Sequence, residues 1–276
     1  MTKTWLITGC SSGFGRVLAD SVLARGDNLV ATARNGDSLA PLKARYGTKV
    51  RAVALDVTKT GDAAAAVAVA EEEFGGLDVL VNNAGFGFIG AVEEATPEEY
   101  RPMFETNVFG LIETTRAALP ALRHRGNGRI VNLSSGAGIA GFAANGYYCA
   151  SKFAVEGLSE ALAEEVTSFG IRVIIVEPGP FRTDFLGRSM NGPKNHIDAY
   201  KEIVGPFRSY RDSNDGRQAG DPVKGVAVIL KAVDAKDPPL HLPLGERAYE
   251  IARKKLAAFQ RDMDAWEADA LATGHS

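Results

Sequence analysis

Tyr148 and Lys152 stand four residues apart on a strong helical pattern, which sets both side chains on one face of a helix. A phenol with an ordinary pKa of about 10 is a poor base at neutral pH, but a neighbouring ammonium favours the phenolate and eases proton exchange. The pair therefore has the chemistry of a general acid and base working on an oxygen atom. Tyr147 is adjacent, yet it has no lysine four positions on and would project about 100° away around the helix. In isolation such a pair is also an ordinary aromatic and basic couple on a helix surface, so its meaning depends on its surroundings.

A second group lies near the start of the chain, in Thr8-Gly9-Cys10-Ser11-Ser12-Gly13-Phe14-Gly15. It follows an apolar run and opens a helical pattern. Glycines there allow positive φ and close approach of the backbone to a ligand. The free N–H groups and positive dipole end of a helix favour an anion such as a pyrophosphate. The spacing is GxxxGxG, not the GxGxxG of the familiar dinucleotide turn. A tight strand-to-helix turn with no ligand is the plain alternative.

The elements that must position these groups alternate. Strands are expected at Thr4–Thr8, Asn28–Thr32, Val50–Leu55, Val79–Val81, Arg129–Leu133, Arg172–Val176 and His241–Leu244. Helices are expected around Gly13–Arg25, Asp62–Phe74, Glu98–His124, Tyr147–Ser168 and Pro222–Ala235. Strands alternating with helices mark βαβ units and a parallel sheet. The fold class expected is α/β, a single Rossmann-like doubly wound parallel sheet of about seven strands flanked by helices. Residues 1–244 are expected to form the dinucleotide-binding and catalytic domain, and 245–276 a C-terminal helical extension of it. The stretch 184–220, rich in Gly, Asn, Ser, Arg and Asp, reads as a lid or mobile loop.

In sum these patterns resemble the short-chain dehydrogenase/reductase family, and most of all its group of 17β-hydroxysteroid and retinol dehydrogenases. The matches run in family order along nearly the whole chain. After the GxxxGxG turn come Asn82-Asn83-Ala84-Gly85, then Asn107 in Asn107-Val108-Phe109-Gly110, and Ser135 after the fifth strand. Tyr148-Cys149-Ala150-Ser151-Lys152 and Pro178-Gly179 complete the set. The resemblance implies an oxidoreductase that interconverts a ketone or aldehyde and an alcohol by hydride transfer, with Tyr148 as general acid or base. It further implies that Lys152 holds the nicotinamide ribose, and that Asn107 anchors a water relaying protons to that lysine. Ser135, thirteen positions before Tyr148, would stabilise the developing alkoxide, and spacing prefers it over Ser134.

By the same resemblance the cofactor would be held by Gly9, Ser11, Ser12, Gly13, Phe14, Gly15, Arg34, Asp56, Val57, Asn83, Ala84, Gly85, Pro178, Gly179, Phe181 and Thr183, with Tyr148 and Lys152. Ala33 stands where NAD-preferring relatives carry an acidic residue, and Arg34 follows it. A guanidinium meets a phosphate bidentately, so NADP(H) is expected ahead of NAD(H). An arginine ending an exposed strand can also face only water. Asp56, besides reaching the adenine edge, can cap its own turn.

Two other classes stay open. A non-catalytic NADP(H) sensor is opposed by the intact Asn107, Ser135, Tyr148 and Lys152. A redox-neutral sugar-nucleotide epimerase-type relative is opposed by the GxxxGxG spacing and by the lack of a large C-terminal substrate domain. The small residues Gly136 to Gly141 and the aromatic and aliphatic side chains of the lid (Phe185, Leu186, Met190, Ile197, Tyr200, Phe207 and Tyr210) suggest an apolar carbonyl or alcohol substrate.

A formal net charge of −3 and a pI near 5.9 supply no basic stripe for a polyanion, so no nucleic acid partner is expected. Only Cys10 and Cys149 occur, at no framework spacing, so neither a disulfide scaffold nor a metal site is indicated. No run approaches the roughly 18 apolar residues of a membrane span, and glycine arrives too early for a signal peptide. The expectation is a cytoplasmic homodimer or homotetramer. Its subunits would pair through the helices carrying Asn107 and Tyr148, where Leu158, Ala161, Leu162 and Val166 supply apolar surface.

Overall fold

A computed structural model describes residues 2–274; positions 1, 275 and 276 of the two expected segments lie outside the described residues. In chain order the strands are β1 (Thr4–Ile7), β2 (Asn28–Ala33), β3 (Val50–Ala54), β4 (Val79–Asn82), β5 (Gly87–Phe88), β6 (Arg129–Leu133), β7 (Arg172–Pro178), β8 (Met190–Asn191) and β9 (His241–Leu244). Seven of them form one parallel sheet in the order β3-β2-β1-β4-β6-β7-β9, and β5 pairs with β8 in a small second sheet. Every residue of β1, β4 and β6 is buried. That is why these segments read as near-continuous apolar runs: helices cover both faces.

One face of the sheet carries α1 (Gly13–Ala24), α2 (Ala40–Tyr46) and α9 (Pro222–Asp234), whose Leu18, Val22, Leu42, Ile229 and Val233 share one core. The other face carries α3 (Asp62–Phe74), α5 (Gly110–Arg125) and α7 (Gly146–Val166), packed through Val67, Ala118, Leu122, Leu162 and Val166. The expected apolar surface on α7 is thus corrected: Leu162 and Val166 are core residues, because the inward stripe of this helix must cover its own sheet. The remaining helices are α4 (Pro97–Phe104), the short α6 (Gly136–Ile139), α8 (Lys201–Asn214) and α10 (Glu246–Leu271).

The long helix expected over 98–124 is interrupted: Glu105–Phe109 forms a π-type turn between α4 and α5. The segment 184–220 is not irregular, since it contains β8 and α8. Its Met190, Tyr200 and Phe207 pack with Ile89, Ala91 and Val204 in a core of their own. Buried Glu94 fastens the segment down, accepting from Arg208 Nη2 at 2.6 Å and from the Ile197 N–H at 3.0 Å. Burial pushes the Glu94 carboxyl up, but the hydrogen bonds from Arg208 and from the Ala91 and Ile197 amides outweigh it and hold its pKa below the ordinary value.

Helix α9 begins where Asp221 Oδ1 accepts from the Val223 N–H at 2.8 Å, with Pro222 in its first turn. It closes over α1, and Asp234 at its end pairs with Lys3 at 2.5 Å and Arg25 at 2.8 Å. The residue before β1 and the residue after α1 are thereby tied to a helix near the end of the chain. α10 rests on the body only at its base, where Ala248 is buried, and most of its length is exposed.

Candidate active site

Strand β1 lies between β2 and β4, so the chain reverses its direction of travel across the sheet there, and such a switch point opens a crevice at the carboxyl ends of the strands. A cleft of about 1140 Å³ occupies that place. This is at the upper end of ordinary ligand pockets and leaves room for two ligands side by side.

The floor is the glycine turn. Gly9 and Gly13 have φ of +74° and +56°, values that a side chain resists. Asn83 braces the turn by donating from Nδ2 to the carbonyls of Thr8 at 2.8 Å and Gly9 at 3.1 Å. Thr8 Oγ1 accepts from the N–H groups of Asn83 and Ala84, both at 2.9 Å. Gly15 does not line the cleft; a Cβ there would collide with the Gly9 carbonyl and the Asn83 amide, so its task is close packing beneath the turn. Ser12 starts α1 with no side-chain cap, which leaves the first N–H groups of the helix facing the cleft. Turn, helix end and cleft size together fit a dinucleotide.

Every other residue expected to hold the dinucleotide lines this cleft, including Ser11, Phe14, Arg34, Val57, Gly85, Pro178, Gly179, Phe181 and Thr183. Arg34 is exposed at the rim, beside Asp56. Asp56 Oδ1 accepts from the Thr58 hydroxyl at 2.7 Å, and chiefly that bond keeps its carboxyl below the usual range. Its side chain thus caps its own turn, as one of the two readings expects.

On the opposite wall Tyr148, Lys152 and Ser135 come together. Tyr148 and Lys152 are buried on α7, with Lys152 Nζ 5.9 Å from the centre of the Tyr148 ring. Burial pushes the Tyr148 phenol up to about 12, against a lowering hydrogen bond with Ser135. Burial also pulls the Lys152 ammonium down to about 8, and the nearby Glu156 carboxylate opposes that. The phenol thus stands above its ordinary value, and desolvation is the largest cause. Lys152 Nζ donates to the Leu133 carbonyl at 2.7 Å, which ties the lysine to the end of β6.

The neighbours separate cleanly. Tyr147 donates its hydroxyl to the Val92 carbonyl at 2.8 Å and stacks on Tyr100, away from the cleft. Ser134 donates to buried Glu156, whereas Ser135 begins α6 and accepts from the Ala137 N–H at 3.1 Å. Burial raises the Glu156 carboxyl to about 7, with Ser134 lowering and Glu177 raising it further.

Asn107 stands behind the wall, in the π-type turn. Its amide donates to the Phe86 carbonyl at 2.9 Å and to Ser151 Oγ at 3.2 Å, and accepts from the Phe86 N–H at 3.0 Å. It thereby joins the segment after β4 to α7. π-type turns recur at functional sites because the widened turn re-aims a side chain. Sequence reasoning singled out Asn107 but not its partner Ser151, whose signal was a small hydroxyl three residues after Tyr148.

The substrate end is lined by Phe86, Pro97, Pro102, Phe185, Leu186 and Tyr210, with Arg101, Arg188 and Asn191 among them. Of the side chains of 184–220 expected there, Met190, Ile197, Tyr200 and Phe207 are absent from the lining: Met190, Tyr200 and Phe207 pack in the separate core, Tyr200 also donates to Glu93, and Ile197 is held by its N–H on Glu94. Gly136 to Gly141 are absent too, because α6 is spent against α7 and α10.

A sheet of this order, the glycine turn and the grouped tyrosine, lysine and serine define a nicotinamide-type oxidoreductase fold, and residues 3–193 match the family described as short chain dehydrogenase. The chain belongs to that family and is an oxidoreductase of its retinol dehydrogenase-like group. It is 37% identical over 274 residues to oxidoreductase BOA17 of Botryotinia fuckeliana, covering 99% of this chain and 100% of that one. Retinol dehydrogenase 16 of Rattus norvegicus is 40% identical over 185 residues, 66% of this chain and 58% of its own. The crystal structure of a short-chain dehydrogenase from Streptomyces avermitilis superposes with a TM-score of 0.93 at 42% identity and full coverage of both chains. A 3-ketoacyl-(acyl-carrier-protein) reductase from Brucella melitensis, solved with NADH, gives 0.74 at 28% identity over 89% of this chain and 98% of that one.

Proposed function

We propose that this chain is an NADP(H)-dependent carbonyl reductase or alcohol dehydrogenase, acting on an apolar ketone or aldehyde and the matching alcohol. The observation that carries this reading is the grouping of Tyr148, Ser135 and Lys152 on one cleft wall, facing the glycine turn and Arg34. The NADH-bound Brucella relative supports a nicotinamide cofactor, and Arg34 with Ala33 supports the phosphorylated form.

When bound, a nicotinamide would supply or take up the hydride. Tyr148 Oη gives its proton to the carbonyl oxygen in reduction and takes one back in oxidation. With its phenol near 12, Tyr148 is protonated at neutral pH and ready as the donor. Ser135 Oγ holds the same oxygen, Lys152 binds the ribose hydroxyls and carries charge beside the phenol, and Asn107 keeps the two walls in register. The apolar lining and the named activity of the rat relative support a lipophilic substrate.

We further read 1–244 as one binding and catalytic unit, 184–220 as its lid and 245–276 as an extension. Exposed Phe109 and Phe153, beside half-buried Leu158, support pairing of subunits through α5 and α7 as a homodimer or homotetramer. The free, buried Cys10 and Cys149 support a reducing, cytoplasmic setting. Among the described residues no helix is long and apolar enough to cross a membrane.

The test is NADPH oxidation against a panel of ketones, with the wild type and Tyr148→Phe. General acid catalysis contributes about 10²–10⁴-fold, so turnover should fall by at least that factor while cofactor affinity survives. Near wild-type turnover in Tyr148→Phe would overturn the mechanism.

A further inference from the structure

Past its first turn, α10 carries Ala252, Leu256, Phe259, Met263, Trp266 and Ala270 at alternating steps of four and three. That is a heptad seam, the pattern of a helix that pairs with another helix. The seam is uncovered: Leu256 is 69% exposed, Phe259 59%, Met263 52% and Trp266 68%. Scattered exposed apolar residues are ordinary, but four large ones in line form a contiguous patch of the kind that marks an interaction site.

We propose that this seam docks a second copy of the chain, the two α10 helices pairing antiparallel about a two-fold axis near residue 261. The charges flanking the seam choose both the occupant and the direction. Arg253 and Lys255 flank its first half, and Glu267 and Asp269 its second. Antiparallel pairing about residue 261 stacks Leu256 on the partner's Trp266 and Phe259 on the partner's Met263. It also sets Arg253 opposite the partner's Glu267 and Lys255 opposite the partner's Asp269. Parallel pairing would instead face Asp262 with the partner's Glu267, a like-charge contact that disfavours it. The antiparallel register brings Asp262 near its own copy, and the adjacent Arg261 offsets this. A lipid surface fits less well, because the outer face mixes Glu250, Lys254, Arg261 and Asp264 where an interfacial helix is predominantly cationic.

Two measurements on the full-length chain decide the matter. Light scattering should give Leu256→Glu with Phe259→Glu half the wild-type mass, with an unchanged circular dichroism spectrum, since both side chains face solvent in the single subunit. Ala252→Cys together with Ala270→Cys should form a disulfide-linked dimer under mild oxidation. Ala252→Cys alone should not, because antiparallel pairing holds its two copies about 27 Å apart along the axis, far beyond disulfide reach. The native Cys10 and Cys149 are buried and do not compete. An unchanged mass in a folded glutamate variant overturns the proposal. So does cross-linking by Ala252→Cys alone, the sign of parallel pairing, or wild-type protein that is monomeric and floats with anionic vesicles. Should the glutamate pair unfold the helix, the cysteine experiment decides alone, since it leaves the large apolar side chains in place.

Discussion

Arg34 and Ala33 sit at the rim of the cleft, and exchanging their chemistry is the sharpest residue-level test of cofactor choice. A charge-assisted contact to a phosphate contributes about 1.5–3 kcal/mol, roughly 10- to 150-fold in Kd. Wild type should bind NADPH tighter than NADH by such a factor, and Ala33→Asp with Arg34→Ala should reverse the order in a fluorescence titration. Equal Kd values for the wild type would refute the assignment. Lys152 offers a second test, because its ammonium is pulled down to about 8 by burial. It is charged below that pH and neutral above it, so kcat/KM for reduction should fall as pH rises through about 8. Lys152→Met, uncharged throughout, should lack this limb as well as bind cofactor weakly. A limb that persists in the variant would assign the titration to another group.

Among the elements, segment 184–220, the proposed lid, gives the clearest consequence. Its position over the cleft depends on buried Glu94, whose partners Arg208 and Ile197 belong to the lid. Removing one partner of a buried ion pair costs about 3–5 kcal/mol, which a lid can escape by opening. Glu94→Ala should therefore speed limited proteolysis within 184–220 and raise KM for the carbonyl substrate, with cofactor Kd unchanged. Unaltered proteolysis would show that the apolar packing around Val204 suffices. Glu94 was illegible in the sequence, since Glu93-Glu94 looks like a solvated acidic pair until the lid folds onto it. The central strands were legible because burial leaves them near-continuous apolar runs, and the edge strands β3 and β9, though partly exposed, still read as short runs between turns. α2 was not, being a seven-residue helix with a proline in its first turn and too short to show a period. The π-type turn was equally hidden: its five residues have ordinary helix composition, and only the bonds of Asn107 reveal why the turn widens. The meeting of Tyr148, Lys152 and Ser135 on one cleft wall could be read by spacing, whereas separating Ser135 from Ser134 on physical grounds needed Glu156 in place.

For the whole molecule, stability should carry a signature of that Glu156. Its carboxyl has a pKa of about 7 against an ordinary 4.5, so the folded chain holds a proton that the unfolded chain has lost. Stability from this group is complete below about 4.5 and is lost as pH rises through about 7. Glu156→Gln should thus gain in melting temperature relative to wild type between pH 5 and 8, and parallel curves would argue against it. A further consequence follows from the pairing of Lys3 and Arg25 with Asp234, and from α9 closing over α1. On a ribosome that adds roughly 5–20 residues per second, the flank of α1 that α9 covers stays bare for roughly 10–40 s before α9 has been made. For that interval the nascent chain shows that flank to its surroundings, a natural landing place for a chaperone. A chain halted before Pro222 should keep that surface and collect in the insoluble fraction, where the full-length chain does not.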